Sequence, residues 1–295
     1  MTDRIASGES VARAALPAVG PGTVWIIDLD GVVWLSGTPI GDASGAVARL
    51  RGTGTTVAFA TNNSAPTVAD LIDRLRAVGI PAEPRDLVTS AQAAASLLRP
   101  GSRVRVLAEA GVVEALGQRG VTIAADGPVD AAVVGWSRHF DFDLLARIAE
   151  AARRSGRLIG TNEDPTHPTP GGLTPGTGAL LAAVATASGV IPEVAGKPHA
   201  AMARVVRDRF ALRSTDAVVV GDQPGTDGRL AQRLGVPFAL VHSGVTPPEA
   251  EITDVPVAIR SEHLFELVDR AVGAGPGVAG GGPGRMPSDS SHRFA

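Results

Sequence analysis

The chain has no cysteine and no tyrosine. Without thiols there is no disulfide scaffold, no cysteine nucleophile and no cysteine-ligated zinc. Aromatics make up only 3% of the residues, so the core must be built from Val, Leu, Ile and Ala. A platform for stacking nucleic-acid bases is therefore not expected. Charge of one sign is also lacking: 27 Lys+Arg stand against 30 Asp+Glu, a formal net charge of −3. That balance offers no attraction to nucleic acid or to an anionic membrane. No apolar run approaches the ~20 residues of a membrane-spanning helix. The N-terminus lacks the continuous apolar segment of a secretion signal, so a cytoplasmic protein is the expectation. What is present is 44% apolar residues in a chain of 295, enough for a sizeable core and roughly two domains.

The pattern along the chain is that of an α/β fold with a parallel sheet. Val24-Trp25-Ile26-Ile27 is apolar on both faces, as a strand buried in a parallel sheet requires. A helix is expected from Ala43 to Leu50, a strand from Thr55 to Ala60, and a helix from Val68 to Val78, stopped by Gly79. Leu87 to Leu98 reads as one helix. Strand and helix patterns then alternate to Leu158–Gly160, and the Pro- and Gly-rich stretch Thr161 to Gly178 reads as a loop. A helix over Ala179–Ser188 follows, and a second α/β segment begins with a helix from Ala200 to Phe210. Its strands are expected at Ala217–Val220, Phe238–Val241 and Val255–Ile259. After Gly273 the composition is too poor in apolar residues to order itself.

Four short segments carry candidate chemistry. Asp28-Leu29-Asp30-Gly31-Val32 and Thr61-Asn62-Asn63-Ser64 end the first two strands. Gly196-Lys197-Pro198 precedes a helix, and Gly221-Asp222-Gln223-Pro224-Gly225-Thr226-Asp227 ends a third strand. Ligands of open α/β sheets bind beyond the carboxyl ends of the strands, where these segments would meet. Asp28 and Asp30, two apart, would share a face, and a hard cation would relieve their repulsion. Asp222 adds another oxygen, and such a donor set favours Mg²⁺ over zinc. Thr61 offers a hydroxyl for phosphate oxygens, and Lys197 can reach a phosphate and a carboxylate together. The inventory suits phosphoryl transfer.

In order and spacing, DLDGV, TNNS, GKP and GDQPGTD resemble the four motifs of the haloacid dehalogenase superfamily. The resemblance covers roughly residues 22 to 272 and is to phosphatases with a large class IIA α/β cap inserted between the second and third motifs. Thr161-Asn162-Glu163-Asp164, followed by Pro170 and Gly176-Thr177-Gly178, resembles a segment that this subgroup carries late in its cap. The resemblance implies a Rossmann-like core formed by 1–87 and 192–272 and a cap over 88–191, and the composition beyond them leads to the expectation of a disordered tail over 273–295. It implies that Asp28 is the nucleophile and Asp30 the acid and base. Mg²⁺ would be held by the Asp28 carboxylate, the Asp30 backbone carbonyl and Asp222. Thr61 and the Asn62 amide, with Asn63 nearby, would hold phosphoryl oxygens. Lys197 would balance charge, with Asp227 behind it orienting Lys197 or metal-bound water. Asn162, Asp164 and His167 are the cap candidates for touching substrate. Gln223-Pro224-Gly225 departs from the polar residue often found there, so chelation from that stretch is not expected.

Bland readings compete at several positions. A lone D-x-D-G is often only a turn, Ser64 could cap the following helix, and Asp227 could cap its own. Trp34 reads as packing or as part of the pocket entrance. The expected partner is a small phosphorylated metabolite, glycerol 3-phosphate first, with phosphoglycolate or a sugar phosphate as alternatives. A homodimer is left open. A carbon-attacking dehalogenase would need neither Asp30 nor a metal, and a receiver domain would lack the cap. A non-catalytic ligand-binding module of the same fold is the remaining rival.

Overall fold

The computed structural model describes residues 19–169, 171–212 and 217–273. The Gly-, Ser- and Pro-rich segment beyond Gly273, and Pro170 in the cap, lie outside the described residues. The core is a six-stranded parallel sheet. Its order is Ile259–Ser261, Phe238–Val241, Ala217–Gly221, Val24–Ile27, Thr56–Thr61, Leu87–Thr89. The chain builds outward from Val24–Ile27 in one direction, then resumes at Ala217–Gly221 and builds outward in the other. These two adjacent strands mark the reversal of order, where open α/β sheets form a crevice.

Both faces of the sheet are covered, as its uninterrupted apolar strands require. One face packs on helices Ala43–Gly52, Val68–Ala77 and Leu264–Gly273, with Trp25, Phe59 and Leu75 buried between. Helix Val68–Ala77 shows why the local sequence folds this way. Thr67 and Asp70 form a reciprocal capping box, and Val68, Leu71, Ile72 and Leu75 make its buried stripe. Gly79, at φ +81°, turns the chain away. The other face packs on helices Ser90–Ser96, Ala200–Phe210 and Arg229–Leu234.

The cap is a five-stranded parallel sheet of order Glu193–Val194, Leu158–Gly160, Ala131–Val134, Arg103–Leu107, Thr122–Ile123. Helices Phe142–Ser155 and Thr177–Ser188 bury one of its faces. Val104, Ala131, Val133 and Ile159, on the other face, join the same buried cluster as Val24, Ile26 and Ala58 of the core. Helices Ser90–Ser96 and Ala110–Gln118 lie within this shared cluster, so cap and core meet through packed apolar side chains.

Four sequence expectations need correction. Leu87–Thr89 is an edge strand of the core, and only Ser90–Ser96 is helical. Thr89, capped against Gln92, divides the two, while the continuous run of apolar and Ala residues hid the break. Glu193–Val194 pairs with Leu158–Gly160, so the cap sheet continues past residue 191. The stretch read as a loop contains an antiparallel hairpin, Thr166–Thr169 with Gly172–Pro175. Each strand of an isolated hairpin is an edge, and an edge strand tolerates the prolines that suggested a loop. The last core strand is Ile259–Ser261 rather than Val255–Ile259.

Candidate active site

Asp28 extends from strand Val24–Ile27 and Asp222 from the neighbouring Ala217–Gly221, at the crevice. The Asp28 N–H donates to the Val220 carbonyl at 2.9 Å, which ties the two strand ends together. A π-type turn over Pro224–Gly228 then brings Asp227 back beneath them. Carboxylate oxygens of Asp28, Asp222 and Asp227 all lie within 4.8 Å of one another, and all three residues are buried. Such a group repels itself unless positive charge or protons are supplied.

Part of that charge is Lys197, which is 2% exposed. Its Nζ lies 2.8 Å from Asp28 Oδ1 and 2.7 Å from Asp227 Oδ1. Asp28 Oδ1 also accepts the Leu29 N–H at 2.7 Å, and Asp227 Oδ2 accepts the Gln223 N–H at 3.1 Å. Lys197 is the only lysine in the chain, every other residue of its 27 Lys+Arg being arginine. The single lysine is buried between two carboxylates, where a compact point charge with rotatable donors serves both. That compositional signal is legible in the sequence.

The titration of these groups follows from their burial. Burial raises the Asp28 carboxyl well above its ordinary range, against the opposing pull of Lys197 and with help from Asp227 and Asp222. Asp222 is pushed up to about 7 by burial and by Asp227, although it accepts the Val245 N–H. Burial alone would lower the Lys197 ammonium, but Asp227 and Asp28 outweigh it and hold the proton more tightly than usual.

The residues present fit a divalent cation. Asp222 Oδ1 is buried with no hydrogen-bond donor, while Oδ2 takes the Val245 N–H at 2.7 Å. The three carboxylates and one ammonium carry a formal charge of −2. Oxygen-only donors match a hard ion such as Mg²⁺. Gly31 and Gly244 allow the backbone to close around Asp222. A Cβ at Gly31 would stand 2.4 Å from Asp222 Oδ2, and one at Gly244 2.0 Å from the same atom.

Other sequence candidates are placed as follows. Thr61 is buried and accepts the Asn63 N–H at 3.0 Å, which leaves its own hydroxyl proton free. The Asn62 side chain does not face the carboxylates. Its Oδ1 accepts the Lys197 N–H at 2.8 Å, and its Nδ2 donates to the Lys197 carbonyl and to Asp164 Oδ2, both at 3.1 Å. Asn62 is thus the clamp on the lysine segment. Asn63 Oδ1 closes a turn onto the Ala65 N–H at 3.2 Å. Asn162 donates to the Asn62 carbonyl at 2.7 Å. Asp164, half-buried and raised by that burial despite its Asn62 partner, lies at the cap–core seam. Ser64 is a seam residue rather than a helix cap: it accepts from Thr161 Oγ1 at 3.0 Å, and Thr67 caps the helix.

These groups line a cavity of about 760 Å³. Asp28, Thr61 and Lys197 are on its core side, and Trp136, Arg138 and His167 on its cap side. His167 faces Trp136 with ring centroids 5.8 Å apart, and the Arg138 guanidinium lies 5.7 Å from the Trp136 ring centroid. Sequence reading missed the loop after strand Phe238–Val241. Ser243 there donates to the Gly31 carbonyl at 2.7 Å, and Val245 to Asp222. Its position beyond a fourth strand end of the core sheet is the usable signal.

Comparison with known proteins agrees with this arrangement. A family model described as haloacid dehalogenase-like hydrolase matches residues 25–122, and a second, HAD-hydrolase-like, matches residues 194–268. The chain belongs to the haloacid dehalogenase-like hydrolases. It is 40% identical over 227 residues to a D-glycerol 3-phosphate phosphatase of Mycobacterium tuberculosis. That match covers 75% of this chain, which spans only 63% of the relative's length. A solved p-nitrophenyl phosphatase from Archaeoglobus fulgidus superposes with a TM-score of 0.79 at 30% identity, over 85% of this chain and 99% of that one. A glycerol phosphate phosphatase from Mycobacterium tuberculosis, solved in complex with calcium, gives a TM-score of 0.70 at 36% identity. There the match covers 76% of this chain and 67% of the other.

Proposed function

We propose that the chain is a Mg²⁺-dependent phosphatase that hydrolyses a small phosphomonoester, glycerol 3-phosphate, by way of a phosphorylated Asp28. The observation that carries this reading is the buried group of Asp28, Asp222 and Asp227, in which Lys197 bridges Asp28 and Asp227, with Asp28, Asp222 and Lys197 lining a cavity. Asp28 and Asp222 side chains and the Asp30 backbone carbonyl would hold the cation. When bound, it would neutralise charge on the phosphoryl oxygens.

The chain's own residues do the rest. Lys197 and the Leu29 N–H hold Asp28 Oδ1, which fixes the carboxylate in one orientation for attack on phosphorus. Asp28 then forms a bond to phosphorus while the bond to the alcohol oxygen breaks. Thr61 donates its free hydroxyl to a phosphoryl oxygen, and Lys197 faces the same negative charge. Asp30, at the cavity wall, protonates the departing alcohol and later takes a proton from the water that releases phosphate. The cap wall of Trp136, Arg138 and His167 encloses the leaving group and limits water.

Glycerol 3-phosphate is the first substrate because of the 40% identity to the mycobacterial enzyme and the cavity's size, which admits a small polyol ester. The test is phosphate release from glycerol 3-phosphate, phosphoglycolate and sugar phosphates, with Mg²⁺ and with a chelator. Release that requires Mg²⁺ and is fastest with glycerol 3-phosphate is expected. No Mg²⁺-dependent release from any ester would reject the activity, and preference for another ester would reject the substrate.

A further inference from the structure

The indole of Trp34 donates from Nε1 to Asp30 Oδ1 at 3.0 Å. Trp34 is 5% exposed and packs into the core cluster containing Trp25 and Phe59. Its backbone is pinned as firmly as its ring. The Trp34 carbonyl accepts the Gly31 N–H at 2.7 Å, its own N–H donates to the Leu29 carbonyl at 3.2 Å, and it pairs across a short hairpin with Pro39. Gly31, at φ +85°, makes the tight turn that brings residues 30 and 34 together. Asp30, four residues earlier in the sequence, thus meets a donor that cannot move independently of the turn.

We infer that Trp34 is a positioning residue for Asp30, holding its carboxyl in one rotamer and confining the transferable proton to Oδ2. The inference rests on the acid and base role proposed for Asp30. An indole N–H is a donor only. Opposite it, Oδ1 must accept whether Asp30 is charged or neutral, and in the neutral carboxyl the carbonyl oxygen accepts better than the hydroxyl, which favours Oδ2 as the seat of the proton. In the first half-reaction that proton passes to the alcohol oxygen as the phosphorus–oxygen bond breaks and its electron pair leaves with the oxygen. In the second, Oδ2 takes a proton from water as the water oxygen bonds to phosphorus and the Asp28–phosphorus bond breaks. Both transfers then use the same oxygen in the same orientation. Without the indole, the carboxyl is free to rotate and to present the wrong oxygen.

The test separates positioning from packing by the leaving group. Trp34→Phe keeps an aromatic ring and removes the donor. A hydrogen bond to a charged group corresponds to roughly ten- to hundredfold in rate. Phosphoenzyme formation from glycerol 3-phosphate should slow by about that factor in W34F. Formation from 2,4-dinitrophenyl phosphate, whose leaving group needs no proton, should stay within about twofold. The double variant D30N/W34F should be no slower than D30N alone. Equal slowing with both esters, or additive losses in the double variant, would overturn the inference. If W34F does not fold, the indole N–H resonances of the three tryptophans supply a second readout. Asp30→Ala should shift one of them upfield and leave the other two in place, and no shift would overturn the inference. The underlying reading fails differently: D30N as fast as the unmutated enzyme on glycerol 3-phosphate removes the role of Asp30 itself. A slow D30N beside an unimpaired W34F removes only that of Trp34.

Discussion

Replacing Lys197 by Met removes the one cation from a group of three buried carboxylates and keeps much of the side chain's volume. In the native protein Nζ lies 2.8 Å from Asp28 and 2.7 Å from Asp227. Breaking a buried ion pair from one side costs about 3–5 kcal/mol, because the remaining charges stay buried without a partner. At about 2–4 °C per kcal/mol for a domain of this size, the core transition should fall by about 6–20 °C. The loss should be smaller at low pH. Asp28 and Asp222 already bind protons readily, and protonation relieves the uncompensated charge. Thermal melts at several pH values, with and without millimolar MgCl₂, measure this directly. The formal site charge falls from −2 to −3 in the variant, so Mg²⁺ should raise its melting temperature more than that of the native chain. A drop below about 2 °C at every pH, or one independent of pH, would refute the reasoning.

Other perturbations test neighbouring parts of the account. Gly31→Ala places a Cβ 2.4 Å from Asp222 Oδ2 at a backbone φ of +85°, so it should lose turnover by more than tenfold and lower the melting temperature. Steady-state kinetics and a thermal melt check both effects. Without divalent cation, the stability of the native chain should fall as pH rises from about 4 to about 7. The Asp222 carboxyl moves from 3.8 to about 7 on folding, so the folded state binds more protons across that interval. Denaturant melts at fixed ionic strength should show that slope, and Mg²⁺ should flatten it.

The sequence was legible where one physical requirement left one pattern. Strands buried on both faces need unbroken apolar runs, and Val24–Ile27, Ala217–Gly221 and Phe238–Val241 stand close to where those runs placed them. Asp28, Lys197, Asp222 and Asp227 stand at or near strand ends and are brought together. What escaped the sequence is what long-range packing decides. The strand Leu87–Thr89 exists because Thr56–Thr61 offers it an edge, and its periodicity alone reads as helix. The pairing of Thr166–Thr169 with Gly172–Pro175 is a cross-strand contact that the local proline and glycine residues conceal. The Asn62 side chain turns to Lys197, 135 residues away, and nothing local to either residue encodes that meeting. The Val245 N–H reaches Asp222 from a backbone position whose side chain carries no signal of that contact.

The central claim is that Asp28 becomes the phosphoryl acceptor. Mass spectrometry of the acid-quenched enzyme, taken during turnover of glycerol 3-phosphate, tests this most directly. The account predicts one phosphoryl group on the peptide containing Asp28, formed only with Mg²⁺ and missing in Asp28→Asn. Turnover with that peptide unmodified throughout, or a phosphoryl group on another residue, would contradict it.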